Sequence, residues 1–164
     1  MRTDTLTADY HSSFTANVPA QEAFADICRV DHWWTTNFRG RAEQPNDVFT
    51  VTFGDTFVTI RIGEVIPGKK IVWEVTDCHL PWLKNKTEWT GTKIVWEVSA
   101  AGSEGASATA SKGASGPTRV DMTHIGLVPG IECYETCEKG WNFHFKESLY
   151  KLMTEKKGFP ERKR

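Results

Sequence analysis

Residues 49–76 read FTVTFGDTFVTIRIGEVIPGKKIVWEVT. The pair Gly54-Asp55 is typical of a two-residue hairpin loop, which sets Phe53 opposite Thr56. A second turn at 67–70 extends the pattern to a third strand. Because side chains alternate along a strand, the apolar residues of all three strands share one face. That face is predicted to carry Phe49, Val51, Phe53, Val58, Ile60, Ile62, Glu64, Ile66, Ile71, Trp73 and Val75.

The second turn decides where the one acidic residue of that face points. A four-residue turn places Ile66 opposite Ile71 and Glu64 opposite Trp73, with Glu64 on the apolar side. The reverse face is polar, so the sheet needs a cover on one side only. The predicted reverse face carries Thr50, Thr52, Thr59, Arg61, Glu74 and Thr76.

Alternation also marks strands outside this stretch. Residues 12–18 predict a first strand, and residues 89–99 and 118–127 predict two later ones. Two short helices, one starting at Pro19 and one over 30–35, follow the first strand. The predicted inward side chains of the later strands are Ile94, Trp96, Val98, Val120, Met122 and His124.

One long helix is predicted near the C-terminus, at about 132–156. At 100° per residue, its large apolar side chains fall in one stripe. The stripe consists of Tyr134, Trp141, Phe145, Leu149 and Leu152. A curved antiparallel sheet of six to seven strands around this helix buries both apolar faces, so the predicted fold class is α+β.

The length of 164 residues predicts one domain. Residues 1–9 and 157–164 are polar or basic and are expected to be loose tails. Residues 100–116 are rich in Ala, Gly and Ser, which predicts a flexible loop.

Composition argues against several classes of function. The formal net charge of −1 gives no basic surface for nucleic acid. There is no run of 18 apolar residues and no signal-peptide core, so we expect no membrane span and a cytoplasmic location. In that reducing compartment, Cys28, Cys78, Cys133 and Cys137 are expected to be free thiols.

Several short motifs, in this order, resemble the activator of heat-shock protein 90 ATPase homologue-like family. This family belongs to the START-like (SRPBCC) helix-grip superfamily, and the resemblance covers about 12–159. The motifs are Val18-Pro19-Ala20-Gln21-Glu22-Ala23-Phe24, Trp33-Trp34, Ile66-Pro67-Gly68-Lys69-Lys70-Ile71-Val72-Trp73, Trp89-Thr90-Gly91-Thr92, Thr123-His124-Ile125-Gly126-Leu127-Val128-Pro129, Glu132-Cys133-Tyr134 and Gly140-Trp141.

The resemblance implies a helix-grip fold with a deep apolar cavity between the sheet and the C-terminal helix. Cavities of this kind hold lipids, sterols, polyketides or aromatic compounds. It also implies an alternative role as an interaction module that modulates a chaperone ATPase. The implied partners are a small hydrophobic ligand and a possible protein partner, with the chain as a monomer or homodimer.

Two polar residues on the predicted apolar face are candidates for chemistry. Glu64 and His124 could fix the polar end of a ligand, or one could act as a base in a cyclase-like or hydrolase-like enzyme. Either could instead bond to a backbone group at the rim of the sheet. Between ligand binding and catalysis in the cavity, we favour ligand binding without catalysis.

An aromatic cavity is predicted between sheet and helix, where the small residues Cys137 and Ser148 leave room. Cys133, Cys137 and His144 share a helix face, but their spacing is unlike that of zinc sites, so no metal is predicted. No motif demands a cofactor. The predicted ligand-binding residues are Trp33, Phe49, Phe53, Glu64, Trp73, Trp96, Met122, His124, Trp141 and Phe145.

Overall fold

The computed structural model describes residues 9–100, 117–128 and 131–160. Its seven strands form one antiparallel sheet in the order β1-β7-β6-β5-β4-β3-β2. The strands are β1 (Tyr10–Ala16), β2 (Phe38–Gly40), β3 (Val48–Phe53), β4 (Thr56–Ile66), β5 (Lys70–His79), β6 (Lys93–Ala100) and β7 (Thr118–Ile125).

The helices pack against one face of this sheet. Two short helices follow β1, as predicted, and the C-terminal helix consists of two α-helical parts joined by a π-helical stretch. They are α1 (Ala20–Cys28), α2 (Val30–Trp33), α3 (Tyr134–Phe143), the π-helical stretch (His144–Leu149) and α4 (Tyr150–Glu155). The predicted α+β helix-grip architecture is confirmed. Within the described residues, every helix is too short or too polar to cross a membrane.

The first hairpin has the predicted register. Phe53 pairs with Thr56, and the pairs Val51–Val58 and Phe49–Ile60 follow along β3 and β4. The inward side chains of these pairs at Phe49, Val51, Val58 and Ile60 are almost fully buried. Turn chemistry and alternation therefore suffice to orient these two strands.

The predicted register of the second hairpin is wrong. Ile66 pairs with Lys70 rather than Ile71, and an irregularity between Ile62 and Val65 shifts the ladder again. A β-bulge of this kind adds a residue and reverses the side-chain alternation beyond it. Glu64 therefore points to solvent, where its carboxylate lies 3.1 Å from the Lys70 ammonium. The prediction of Glu64 on the apolar wall is wrong.

The bulge leaves the inward face of β5 unchanged. Trp73 pairs with Ile62 instead of Glu64, a shift of two residues, which keeps Trp73 and Val75 buried as predicted. Trp73 lies 4.9 Å from Trp96 and 6.4 Å from Trp33, measured between ring centroids. These rings form the dense centre of the core.

Both ends of the described chain are attached to the body. A carboxylate oxygen of Asp9 accepts a hydrogen bond from the Gly126 backbone at 2.9 Å. Near the other end, the backbone N–H of Phe159 donates to the Ser148 hydroxyl at 2.7 Å. The flexible loop predicted at 100–116 lies outside the described residues, apart from Ala100.

Candidate functional site

A cavity of about 570 Å³ lies between the sheet and the N-terminal half of the C-terminal helix. The first hairpin, the residue after α2, the β5–β6 loop and the helix each contribute a wall. Its lining consists of Trp34, Phe53, Thr56, Val58, Leu80, Trp82, Trp89, Thr136, Cys137, Gly140, Trp141 and His144. No Asp, Glu, Lys or Arg occurs among these described lining residues.

The helical wall follows from helix periodicity. Its residues recur at intervals of three and four, so Cys137, Gly140, Trp141 and His144 share one face. Gly140 makes a recess in this wall, because a Cβ atom added there would meet no other heavy atom within 4 Å. A side chain at this position would therefore extend into open space.

The β5–β6 loop is attached to the helix by two carboxylates. Glu88 accepts hydrogen bonds from the backbone N–H groups of Glu132 at 3.0 Å and Cys133 at 2.8 Å. Glu132 in turn accepts from the backbone of Lys84 at 2.8 Å and Asn85 at 3.2 Å, which lowers the pKa of its carboxyl. This reciprocal pair keeps the loop that carries Trp82 and Trp89 in place beside the helix.

His124 is buried, as predicted, but both of its ring nitrogens have protein partners. Trp141 donates its indole N–H to Nδ1 at 3.1 Å, so Nδ1 carries no proton. The protonated Nε2 then donates to the Thr92 hydroxyl at 3.0 Å, and that hydroxyl donates to the Trp89 carbonyl at 2.7 Å. Burial lowers the pKa of His124 to about 3, so the ring is neutral at pH 7.

The expectation that His124 offers an open hydrogen-bonding group to the cavity is therefore wrong. The imidazole instead lies behind the cavity wall and holds two of its residues in place. Its hydrogen bonds connect Trp141 on the helix to Thr92, and through the Thr92 hydroxyl to the Trp89 carbonyl on the loop. Both tryptophans line the cavity.

His144 is the histidine that lines the cavity, and sequence reasoning considered it only as a metal ligand. Burial lowers its pKa to about 4, although a backbone hydrogen bond with Trp33 opposes the shift. Its Nδ1 is buried and has no hydrogen-bond partner. A neutral imidazole offers one donor and one acceptor but no charge. The described part of the chain contains no group of His, Cys, Asp and Glu that could hold a metal ion.

The sulfur atoms of Cys133 and Cys137 are in direct contact, and the expectation of free thiols is met at Cys28 and Cys78. One helical turn separates the two residues, and their Cα atoms lie 5.6 Å apart, within the range that a disulfide spans. Cys137 lines the cavity, whereas Cys133 is fully buried. Cys28 and Cys78 are free, and burial raises the pKa of the Cys28 thiol to about 12.

Of the ten predicted ligand-binding residues, the structure places two on the cavity surface, Phe53 and Trp141. Glu64 lies outside on the exposed side. The other seven form the fully buried core beneath: Trp33, Phe49, Trp73, Trp96, Met122, His124 and Phe145. Leu80 and Trp82 were missed because they lie in a loop, where no periodic pattern marks the inward side. Trp89 was missed because the strand predicted from residue 89 begins only at Lys93, which leaves Trp89 in the loop as well.

Comparison with known proteins adds similarity at the level of structure alone. No family model matches the sequence, and no curated protein matches it. Among solved structures, the Aha1 dimer from Colwellia psychrerythraea is 15% identical, with a TM-score of 0.66 over 88% of this chain and 95% of that one.

Two further solved structures come from proteins with related names. DynU16, described as a putative protein in the dynemicin biosynthetic locus, is 13% identical with a TM-score of 0.62, and this chain spans half its length. CalU16 from Micromonospora echinospora is 10% identical with a TM-score of 0.55, over 83% of this chain and 70% of that one. At these identities the likeness concerns the fold alone, which is the helix-grip arrangement of a curved sheet around a C-terminal helix.

Proposed function

We propose that this protein binds a small, uncharged, largely aromatic molecule in the cavity between the sheet and the C-terminal helix. The observation that carries the proposal is the lining itself. Four tryptophans and Phe53 form its walls, and no Asp, Glu, Lys or Arg is present among the described lining residues. A volume of about 570 Å³ lies within the range of small-molecule sites.

The absence of charged lining residues favours an uncharged ligand. An ionised carboxylate or phosphate would leave water without gaining a counter-ion, which costs several kcal/mol or more. His144 does not supply that charge, because its pKa of about 4 keeps the ring neutral at pH 7. The ligand class is therefore unlike a fatty-acid anion or a nucleotide.

The shapes of the walls favour a planar ligand. Trp34 and Trp141 are 5.2 Å apart between ring centroids, and Trp141 is nearly parallel to Trp89. Flat aromatic faces pack best against flat, weakly polar molecules. Thr56, Thr136 and His144 provide the few polar groups that could orient one polar substituent.

Two dyes with one ring skeleton test the charge argument. N-phenyl-1-naphthylamine is neutral, and 8-anilinonaphthalene-1-sulfonate adds a sulfonate to the same skeleton. We expect the neutral dye to bind at least tenfold more tightly in a fluorescence titration. Equal affinity, or tighter binding of the sulfonate, would refute an uncharged site.

Gly140 provides a variant that separates binding from stability. Gly140→Leu places a side chain in the recess and should abolish dye binding, while gaining roughly 1 kcal/mol of stability from helix propensity. Gly140→Ala is the matched control, with the same gain in propensity and little loss of volume. If Gly140→Leu binds the neutral dye as the parent does, the dye site is elsewhere.

Catalysis through Glu64 and His124 is not supported, since one side chain is exposed and the other has two protein partners. A protein partner remains a second proposal. Its support is the Aha1 neighbour, which is described as a dimer. Sedimentation of the purified chain tests whether it forms a homodimer. A cytoplasmic location likewise stays a prediction from sequence.

A further inference from the structure

His144 brings an unused hydrogen-bonding nitrogen to the cavity wall. The ring lines the cavity, and its Nδ1 is buried without a hydrogen-bond partner. Its neighbours in the wall are aromatic, since the ring centroids of Phe53 and Trp34 lie 6.0 Å and 6.4 Å from that of the imidazole. An unpaired polar atom in such surroundings costs free energy, which a bonding partner would recover.

The backbone of Trp33 decides which hydrogen-bonding role this nitrogen has. The hydrogen bond between His144 and the Trp33 backbone raises the pKa of the ring, as expected when a ring N–H donates to a carbonyl oxygen. The Ser148 hydroxyl donates to the same carbonyl at 2.6 Å. Because Nδ1 is unpaired, the donor is Nε2, and the single proton of the neutral ring is there. Nδ1 therefore carries a lone pair and can only accept.

A second buried nitrogen of the lining, the indole Nε1 of Trp89, is also unpaired but says less about a ligand. Trp73 and Trp96 have unpaired indole N–H groups too, and both lie in the core outside the cavity lining. The fold therefore tolerates unpaired indole donors where no guest can reach them. Among the described lining residues, His144 is the one whose buried acceptor nitrogen lacks a partner.

The C-terminal helix changes its winding at the same residue. The α-helical part ends at Phe143, and the π-helical stretch begins at His144. Turns of π-helix are rare and are found frequently at functional sites. The irregular turn and the unpaired nitrogen are separate observations that mark the same side chain.

We infer that His144 accepts a hydrogen bond from the ligand, which is therefore an aromatic compound with a hydroxyl group on its ring, as in phenols and naphthols. This assignment rests on the proposed function, because the hydroxyl belongs to the same uncharged aromatic guest. A phenolic hydroxyl is a good donor and is neutral at pH 7, since its ordinary pKa is about 10. The pKa of His144 is about 4, so the proton stays on the guest and the contact serves binding rather than catalysis.

The guest reaches Nδ1 through a small movement of the wall. The nitrogen is buried, so the imidazole has to turn slightly before a hydroxyl can bond to it. The torsion about the Cβ–Cγ bond of histidine is soft. His144 and its neighbour Phe53 are both half-buried at the cavity, so neither ring is tightly enclosed by the core.

Two ligands that differ by one donor test this assignment. In 2-methoxynaphthalene a methyl group replaces the hydroxyl hydrogen of 2-naphthol, and isothermal titration calorimetry at neutral pH measures both Kd values. The ratio of the two Kd values also reflects the transfer of the methyl group from water, but that contribution is common to all variants. We expect the preference for 2-naphthol to fall at least tenfold in His144→Phe. His144→Gln retains an oxygen acceptor and should lie between, and His32→Gln, whose side chain is exposed, should stay within twofold of the parent.

Nitrogen NMR of the parent with ¹⁵N-labelled histidine needs no folded His144→Phe variant. The resonance of the unprotonated nitrogen of His144, identified by its absence in His144→Gln, should move upfield with 2-naphthol and much less with 2-methoxynaphthalene. An unchanged preference in His144→Phe, or equal shifts with the two ligands, would overturn the assignment and leave the uncharged cavity in place. If the neutral dye binds the parent but neither naphthalene does, only the assignment fails. If none of the three binds, the proposed function fails with it.

Discussion

Lowering the pH from about 7.5 to about 5 should destabilise this protein more than an ordinary domain, because the buried ring of His124 and the half-buried ring of His144 are both neutral. His124 has a pKa of about 3 and His144 a pKa of about 4 in the folded state. The cause in both cases is burial, which disfavours the charged ring. In the unfolded chain, both rings have the ordinary histidine pKa of about 6.5.

The sign and size follow from proton linkage. Above about pH 6.5 both states hold neutral rings, so stability is fully present there. Below that value the unfolded chain binds protons that the folded protein cannot, and stability falls with pH. Each ring costs about 2 kcal/mol by pH 5, and the two together about 4 kcal/mol. Because both folded pKa values lie below 5, this figure is insensitive to where they lie.

Urea unfolding at about pH 7.5 and pH 5 measures the difference. The parent should lose roughly 4 kcal/mol and His144→Gln roughly 2 kcal/mol, since that variant retains only His124 as a buried ring. The matched control is His32→Gln, whose side chain is exposed, and it should lose as much as the parent. An equal loss for His144→Gln and the parent would show that the folded protein does not hold His144 as a neutral ring at pH 5.

Three substitutions test the wall and the corrected strand register by urea unfolding. Gly126→Ala should cost about 2 kcal/mol or more, because the φ of Gly126 is +105° and the new Cβ would lie 2.6 Å from the methyl group of Thr92. The hydroxyl of the same Thr92 side chain is bonded to His124. An unchanged urea midpoint would contradict this contact. Trp141→Phe removes the donor to His124 Nδ1 and should cost about 1–3 kcal/mol, so a neutral result would mean that the nitrogen finds another partner. Glu64→Ala should change stability by less than about 1 kcal/mol, as expected of an exposed ion pair, and a larger loss would argue against the bulge that turns Glu64 outward.

The two hairpins show what sequence can decide about this fold. In the first, Gly54 adopts a positive φ of 64° in a tight turn, so the loop fixes the register. The alternation of apolar and polar side chains then decides which face of the two strands is buried. In the second, a bulge near Gly63 breaks the alternation. A bulge is stabilised by contacts that the strand makes in three dimensions, and local alternation carries no sign of it.

The cavity shows a different limit. Helix periodicity predicts which residues face the sheet, so Trp141 and Cys137 were found, and His144 lies on the same face. It does not distinguish a residue that touches an empty space from one that touches another side chain. Trp96 and Phe145 were predicted as cavity walls on equal grounds, yet both are packed in the core, with ring centroids 5.7 Å apart.

The uneven exposure of the wall tryptophans has a spectroscopic consequence. Trp82 is 47% exposed at the rim, whereas Trp34, Trp89 and Trp141 are each less than 8% exposed. Red-shifted, water-relaxed emission should therefore come from Trp82 among the four. A guest that displaces water from the rim would shift that component to the blue and leave the others little changed. The fluorescence of Trp82 should therefore report whether the cavity is occupied, and Trp82→Phe is the variant that removes this signal.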